Sequence, residues 1–122
     1  MISLPVIFPQ EETNKKIYDV YVGVPFSGCE KHIGEPNIIA TREDEAIAIA
    51  VGYKLAGKTP LVYMQNSGLG NCVDVITSLL KPYGIEIDLL IDNRVEPEHH
   101  ALMGKITPKL LEFMEYESFV LC

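Results

Sequence analysis

Apolar and polar residues alternate along the chain in blocks that predict strands followed by helices. Short blocks rich in β-branched and aromatic residues predict strands, and longer periodic segments bounded by Gly or Pro predict helices. Because strands and helices alternate, we expect an α/β fold with a mainly parallel sheet. The predicted strands cover residues 17–24, 37–40, 61–64, 85–91 and 118–122, and the predicted helices cover Glu43–Leu55, 67–80 and 107–115.

The helix predicted over Glu43–Leu55 has apolar residues on nearly every face. Thr41 is placed to cap its first turn, and Asp44, three positions later, is placed to reach back in a capping box. One sheet covers only one side of a helix, so the opposite apolar side predicts a second subunit. We therefore expect an obligate oligomer with a contact through this helix.

Length and charge narrow the class of protein. The 122 residues predict one domain over 1–122, with an irregular segment at 1–16 because Pro5 and Pro9 disfavour a helix there. Seventeen acidic residues against ten basic ones give a net charge of -7, which repels nucleic acid and anionic membrane surfaces. No apolar run reaches the roughly 18 residues of a membrane span, and the first residues do not resemble a signal peptide, so a cytoplasmic protein is expected.

Three cysteines, Cys29, Cys72 and Cys122, are present in an odd number and without a CxxC pair. This usage is typical of reduced thiols in a cytosol and not of a secreted disulfide framework. We expect all three to be packing residues.

The most informative segment for chemistry is MQNSGLGN at residues 64–71, where a predicted strand ends and a helix begins. Gly68 and Gly70 allow close backbone approach, and free N–H groups of a first helical turn bind polar groups. The segment has only part of a dinucleotide fingerprint and no phosphate-loop Gly-Lys-Ser/Thr. A ligand site and a tight structural turn both remain open for it.

Two other places carry titratable candidates. Glu43 follows a predicted strand and opens the apolar helix, where it either meets a ligand nitrogen or only complements the helix dipole beside Asp44 and Glu45. His99 and His100 are predicted to lie in a polar loop, where a lone pair of histidines lacks the further ligands of a metal site. No metal ligands are predicted in this chain.

Five segments together resemble the phosphonopyruvate and sulfopyruvate decarboxylases. They are ATREDEA at 40–46, GYKLAGK at 52–58, MQNSGLGN at 64–71, EPEH at 96–99 and GKITP at 104–108. The similarity holds in order and spacing over about residues 17–121, and residues 64–71 are the most specific part of it.

The resemblance implies a pyrimidine-binding (PYR-type) domain, a three-layer α/β sandwich that binds the aminopyrimidine of thiamine diphosphate. A separate PP domain or subunit would hold the diphosphate and Mg²⁺, since this chain has no Gly-Asp-Gly motif. By position, Glu43 resembles the glutamate that hydrogen-bonds N1′ and promotes removal of the C2 proton. Gln65, Asn66, Ser67 and Gly68 would line the same pocket, and His99 would assist proton transfer or bind the acidic group of the substrate.

The implied reaction is decarboxylation of a small 2-oxo acid, sulfopyruvate or phosphonopyruvate, to an aldehyde and CO₂. The chain departs from the family after Val24-Pro25, where it reaches Ile38 without a long helical segment, and again between Ile91 and Glu96, which is short. Because these two segments are shortened, a second hypothesis stays open, in which the chain is a non-catalytic PYR-like assembly or regulatory subunit.

Overall fold

The computed structural model describes residues 18–122, and the predicted irregular segment 1–16 lies outside them, as does Ile17. The five strands are β1 (Val20–Gly23), β2 (Asn37–Ile39), β3 (Pro60–Gln65), β4 (Asp88–Asp92) and β5 (Phe119–Leu121). They form one parallel sheet in the order β2-β1-β3-β4-β5. The predicted α/β class and parallel sheet are confirmed.

Three helical elements connect the strands, and a short 3-10 turn, Glu30–His32, lies between β1 and β2. Helix α1 is Glu43–Leu55, with the predicted bounds. The run that we number α2 consists of a 3-10 segment Asn66–Cys72, an α-helical turn Val73–Val75, a π-helical turn Ile76–Leu80 and a last turn Lys81–Tyr83. Helix α3 is Glu98–Phe113.

Both faces of the sheet are covered, which is consistent with a three-layer fold. Right-handed crossovers from β2 to β3, β3 to β4 and β4 to β5 all step in one direction across the sheet, so their helices lie on one face. Val22, Val62 and Ile91 point to that face and form the main core with the helices. The step from β1 to β2 runs the other way, so residues 24–36 cover the opposite face, where Phe26 and Ile33 pack against buried side chains of β1, β3 and β4.

The start of α1 differs from the predicted capping box. The N-cap residue is Arg42, and no side chain caps the helix there. Thr41 instead donates from both its backbone N–H and its hydroxyl to Glu45 Oε1, at 2.7 and 2.8 Å, so Glu45 and not Asp44 reaches back. Asp44 pairs with Arg42 at 3.0 Å. The helix itself begins at Glu43 as predicted, and only its N-cap residue and the acid that bonds back to Thr41 differ from the prediction.

Helix α3 is much longer than the predicted 107–115. It begins nine residues earlier, at Glu98, and contains Gly104 as well as Pro108. Gly104 is needed because the helix crosses the chain closely, so that an added Cβ would meet Val95 and stand 2.7 Å from the Arg94 carbonyl oxygen. As a result His99 and His100 lie in the first helical turn, and their predicted placement in a loop was wrong.

The prediction of three reduced cysteines was also wrong for two of them. Cys29 and Cys122 form a disulfide, with 6.5 Å between their Cα atoms. They are 93 positions apart, so only the folding of the chain brings them together. Cys72 is a free, buried thiol and is part of the core, as expected. Within residues 18–122 no helix is both long and apolar enough to cross a membrane.

Candidate functional site

The first helical turns of α1 and α2 lie side by side at the carboxyl-terminal edge of the sheet. Glu43 begins α1 after β2, and Asn66–Cys72 begins α2 directly after β3. Because parallel strands end at the same edge, residues distant in sequence meet there. The Asn71 amide donates to Glu43 Oε1 at 3.2 Å.

Gly68 allows the Glu43 side chain to lie directly against the backbone of α2. Gly68 is buried, and a Cβ added to it would stand 2.5 Å from Glu43 Oε2 and closer still to Cγ and Cδ. Any larger residue would occupy the space that this carboxylate uses. The structure thus places Glu43 in contact with Gly68 and Asn71 of the 64–71 segment, and their shared role at a cofactor stays a prediction.

Of the three acidic residues in the first turn of α1, Glu43 is the one that packs against α2. Arg42 bonds to Asp44 and holds the pKa of that carboxyl below its usual value, and the Thr41 amide and hydroxyl do the same for Glu45. Both of these groups complement the helix terminus and its adjoining loop. Glu43, half-buried between α1 and α2, is left for other chemistry.

Cys72 lies beneath this carboxylate. Burial, with a contribution from the negative charges of Glu43 and Asp44, raises the pKa of the Cys72 thiol to about 12. A thiol with such a pKa stays protonated near neutral pH and is a poor nucleophile. Its Sγ donates to the Gly68 carbonyl at 3.5 Å, so it supports the turn that carries Gly68.

The side chain of Asn66 points into the protein. It is 1% exposed, and the two hydrogens of its amide nitrogen are shared among three acceptors, Asn93 Oδ1 at 3.0 Å, the Arg94 carbonyl at 3.2 Å and Thr107 Oγ1 at 3.1 Å. Its oxygen accepts from the Arg94 backbone N–H at 3.0 Å. These bonds join the end of β3 to the end of β4 and to α3, so Asn66 sets the relative position of three parts of the edge. The predicted direct contact with a cofactor stays a prediction.

Gln65, Ser67 and Arg94 form a second polar group at the same edge. Gln65 donates to Ser67 Oγ at 3.0 Å, and its carbonyl oxygen accepts from Arg94 Nη1 at 3.3 Å. Arg94 was not among the predicted site residues. It lies two residues after the end of β4, as Glu43 lies a few residues after the end of β2, and this position after a parallel strand is the sequence signal that could have identified it.

His99 and His100 start α3 beside this group. His99 is exposed, His100 is half-buried, and the ring centroids are 4.1 Å apart. Desolvation lowers the pKa of His100, and the positive charges of His99 and Arg94 lower it further. In the described part of the chain, no hydrogen bond joins His99 to Glu43 or to residues 65–68. The structure therefore brings together Glu43 and Gly68, and separately Gln65 and Ser67, while His99 is hydrogen-bonded to neither pair.

No family model matches the chain. It is similar to the alpha subunit of sulfopyruvate decarboxylase from Methanothermobacter thermautotrophicus, with 39% identity over 83 residues, which are 65% of this chain and 50% of the relative. The corresponding subunit from Methanocaldococcus jannaschii is 40% identical over 87 residues, 68% of this chain and 52% of the relative. Phosphonopyruvate decarboxylase from Streptomyces viridochromogenes is 40% identical over 86 residues, 66% of this chain and 21% of the relative.

The matched part of the chain thus spans about half the length of the two archaeal alpha subunits. It spans a smaller share of the phosphonopyruvate decarboxylase.

Proposed function

Because the chain belongs to the phosphonopyruvate and sulfopyruvate decarboxylase family, we propose that it is the PYR subunit of a split thiamine-diphosphate-dependent decarboxylase. The enzyme would release CO₂ from sulfopyruvate or phosphonopyruvate and leave an aldehyde. The names of the archaeal relatives, which are alpha subunits, support a protein that acts with a second subunit.

The observation that carries this proposal is the position of Glu43 against the bare backbone of Gly68. A flat aminopyrimidine needs a carboxyl partner at one ring nitrogen and a surface without side chains beside it. Glu43 offers the first, and the glycine turn of α2 offers the second. The donor set therefore fits the pyrimidine end of thiamine diphosphate.

In this arrangement Glu43 holds a proton at N1′ of the pyrimidine, and Asn71 orients the carboxyl group from its other oxygen. Bound thiamine diphosphate supplies the electron sink that accepts the electron pair left by departing CO₂. Gln65, Ser67 and Gly68 line the pyrimidine side, and Asn66 keeps β3, β4 and α3 in position.

Arg94 and His99 are the groups that we assign to the acidic end of the substrate. A sulfonate, phosphonate or carboxylate needs a cation, and a guanidinium binds such oxygens through two parallel donors. The Gln65 side chain orients Arg94. The positive charge of Arg94 contributes to lowering the pKa of His100, which is in the same helical turn as His99. His99 serves as an exposed donor or proton-transfer group.

The remaining parts of the site would come from other chains. We propose that a PP-domain subunit holds the diphosphate and Mg²⁺, and that α1 also contacts a second copy. Helix α1 buries Ala46, Ile47, Ala50 and Val51 against the sheet but leaves Leu55 73% exposed, which supports such a contact. A cytoplasmic location is proposed from the composition alone, because the disulfide removes the argument from reduced thiols.

The substitution Glu43→Gln tests the proposal. Mixed with a PP subunit, thiamine diphosphate and Mg²⁺, the native chain should release CO₂, and the variant should lose at least about 100-fold, the usual value of a proton-transfer group. Exchange of the C2 proton of the cofactor for deuterium should slow in parallel. Glu45→Gln is the matched control in the same turn, since Glu45 bonds to Thr41 instead, and it should keep activity.

Full activity in Glu43→Gln would contradict the assigned role. Titration of thiamine diphosphate separates the enzyme from a non-catalytic PYR-like subunit, because only the enzyme adds cofactor affinity to the PP subunit. The feature that favours the non-catalytic alternative is the short segment 24–36, which has a single 3-10 turn in place of a long helix.

A further inference from the structure

Two cysteines and one carboxylate meet on the sheet face opposite the helices. Leu90 and Val120 point to that face, and because side chains alternate along strands, Asp92 and Cys122, two residues later, point the same way. The Cys122 N–H donates to the Ile91 carbonyl at 2.8 Å, so the sheet ladder continues to the end of the chain. Cys29 reaches the same place from the segment that covers this face.

The three side chains are close enough to share one cation. One sulfur each from Cys29 and Cys122 and one carboxylate oxygen of Asp92 all lie within 4.8 Å of one another. Thiolates and a carboxylate are donors that Zn²⁺ takes in tetrahedral sites, where water can complete three protein ligands. In the disulfide form the sulfurs carry no thiolate charge and cannot act as these ligands.

Asp92 has an environment that a disulfide by itself does not require. Its side chain is half-buried on the sheet face covered by residues 24–36. Within residues 18–122 the carboxylate accepts no hydrogen bond and forms no salt bridge. A half-buried carboxylate in this condition gains from a nearby cation.

Gly28 makes the close approach possible. Its φ of +142° is a conformation that other residues rarely adopt, and an added Cβ would stand 2.5 Å from Asp92 Oδ2. The following residue, Cys29, has a left-handed backbone with φ of 55°. The backbone of this segment thus takes two uncommon conformations in succession where it brings Cys29 to Asp92.

We propose that Cys29, Cys122 and Asp92 form a thiol-gated cation site, which binds one Zn²⁺ when both cysteines are reduced and is closed by the disulfide. A phosphine opens the site by reducing the disulfide. Its phosphorus is oxidised to the phosphine oxide and takes the oxygen of one water molecule, and the two protons of that water go to the sulfurs, which become thiols. Binding of the cation then releases both thiol protons to solvent.

Cobalt titration of the full chain tests this inference. After reduction with a phosphine, which does not compete for metal as dithiols do, Co²⁺ should bind at one per chain with thiolate-to-cobalt absorption in the near ultraviolet. Zn²⁺ should displace it. Cys29→Ser should abolish these bands, Asp92→Asn should weaken binding by about tenfold or more, and oxidised chain should show none.

Cys72→Ser is the matched control, because Cys72 is a cysteine of the core and not of this site, and it should leave the titration unchanged. Far-ultraviolet circular dichroism verifies that each variant is folded, and Asp92→Asn tests the site without altering a cysteine. Three results would overturn the inference: no thiolate bands in the folded, reduced chain, bands that survive Cys29→Ser, or equal affinity in Asp92→Asn. The titration needs no decarboxylase activity, so its failure is distinguishable from failure of the proposed function.

Discussion

The substitution Gly68→Ala should move the Glu43 side chain without changing its carboxyl group, and so test how much the activity depends on the position of that group. The added Cβ would stand 2.5 Å from Glu43 Oε2, whereas ordinary van der Waals contact begins at 3.4 Å, so the overlap is about 0.9 Å at this oxygen and larger at Cγ and Cδ. Gly68 has no left-handed φ, so the backbone accepts alanine and the effect comes from this one contact.

The two side chains cannot both keep their places. Overpacking of a filled site costs about 1–3 kcal/mol when the surroundings are rigid. Glu43 lies at a helix start and is only half-buried, so its side chain can rotate away from the added Cβ. The destabilisation should therefore be near the lower end of that range. A catalytic group displaced by about 1 Å loses on the order of 100-fold in rate. Gly68→Ala should therefore reduce CO₂ release with the PP subunit by about 10- to 100-fold while the chain stays folded.

Gly70→Ala is the matched control, because a Cβ there meets nothing within 4 Å. It should keep activity within about twofold and leave stability unchanged or raised, by up to about 1 kcal/mol. The stability loss of Gly68→Ala, measured by urea unfolding, should disappear in a Glu43→Ala background, since that substitution removes the clashing atoms. Native activity in Gly68→Ala, with a stability loss independent of Glu43, would refute the close packing of these two residues.

Three further predictions concern stability and reactivity. Asn66→Ala should cost about 1–3 kcal/mol or more in urea unfolding because it leaves buried groups without partners, whereas exposed Ser67→Ala should change stability by less than about 0.5 kcal/mol. Cys29→Ser should lower the free energy of unfolding by about 4–5 kcal/mol in the chain-entropy model for a bridge of 93 residues, and an unchanged melting temperature would argue against the disulfide. In a chain with both Cys29 and Cys122 replaced by serine, Cys72 should react with a thiol reagent at pH 8 only after unfolding. Because its pKa is raised to about 12, stability should fall as pH rises from about 9 to 12, and rapid labelling of the native chain would contradict this.

The sequence alone determined the parts of this protein that depend on local order. Short blocks of β-branched and aromatic residues that alternate with longer helical segments, with Gly and Pro at the boundaries, predicted the parallel α/β class and the bounds of α1. The same order placed Glu43 and residues 64–71 directly after strands, and parallel strands end at one edge. These features need no knowledge of distant contacts.

Only the tertiary structure decided which distant groups meet. Helix α3 was predicted too short because the packing of Gly104 against residues 94 and 95 is invisible in the local pattern. Asn66 turned inward because its partners come from β4 and α3, and the packing between α1 and α2 brought Gly68 to Glu43. The disulfide joins residues 93 positions apart. Contacts of this kind arise from burial of whole elements against one another, and no short window of sequence contains both partners.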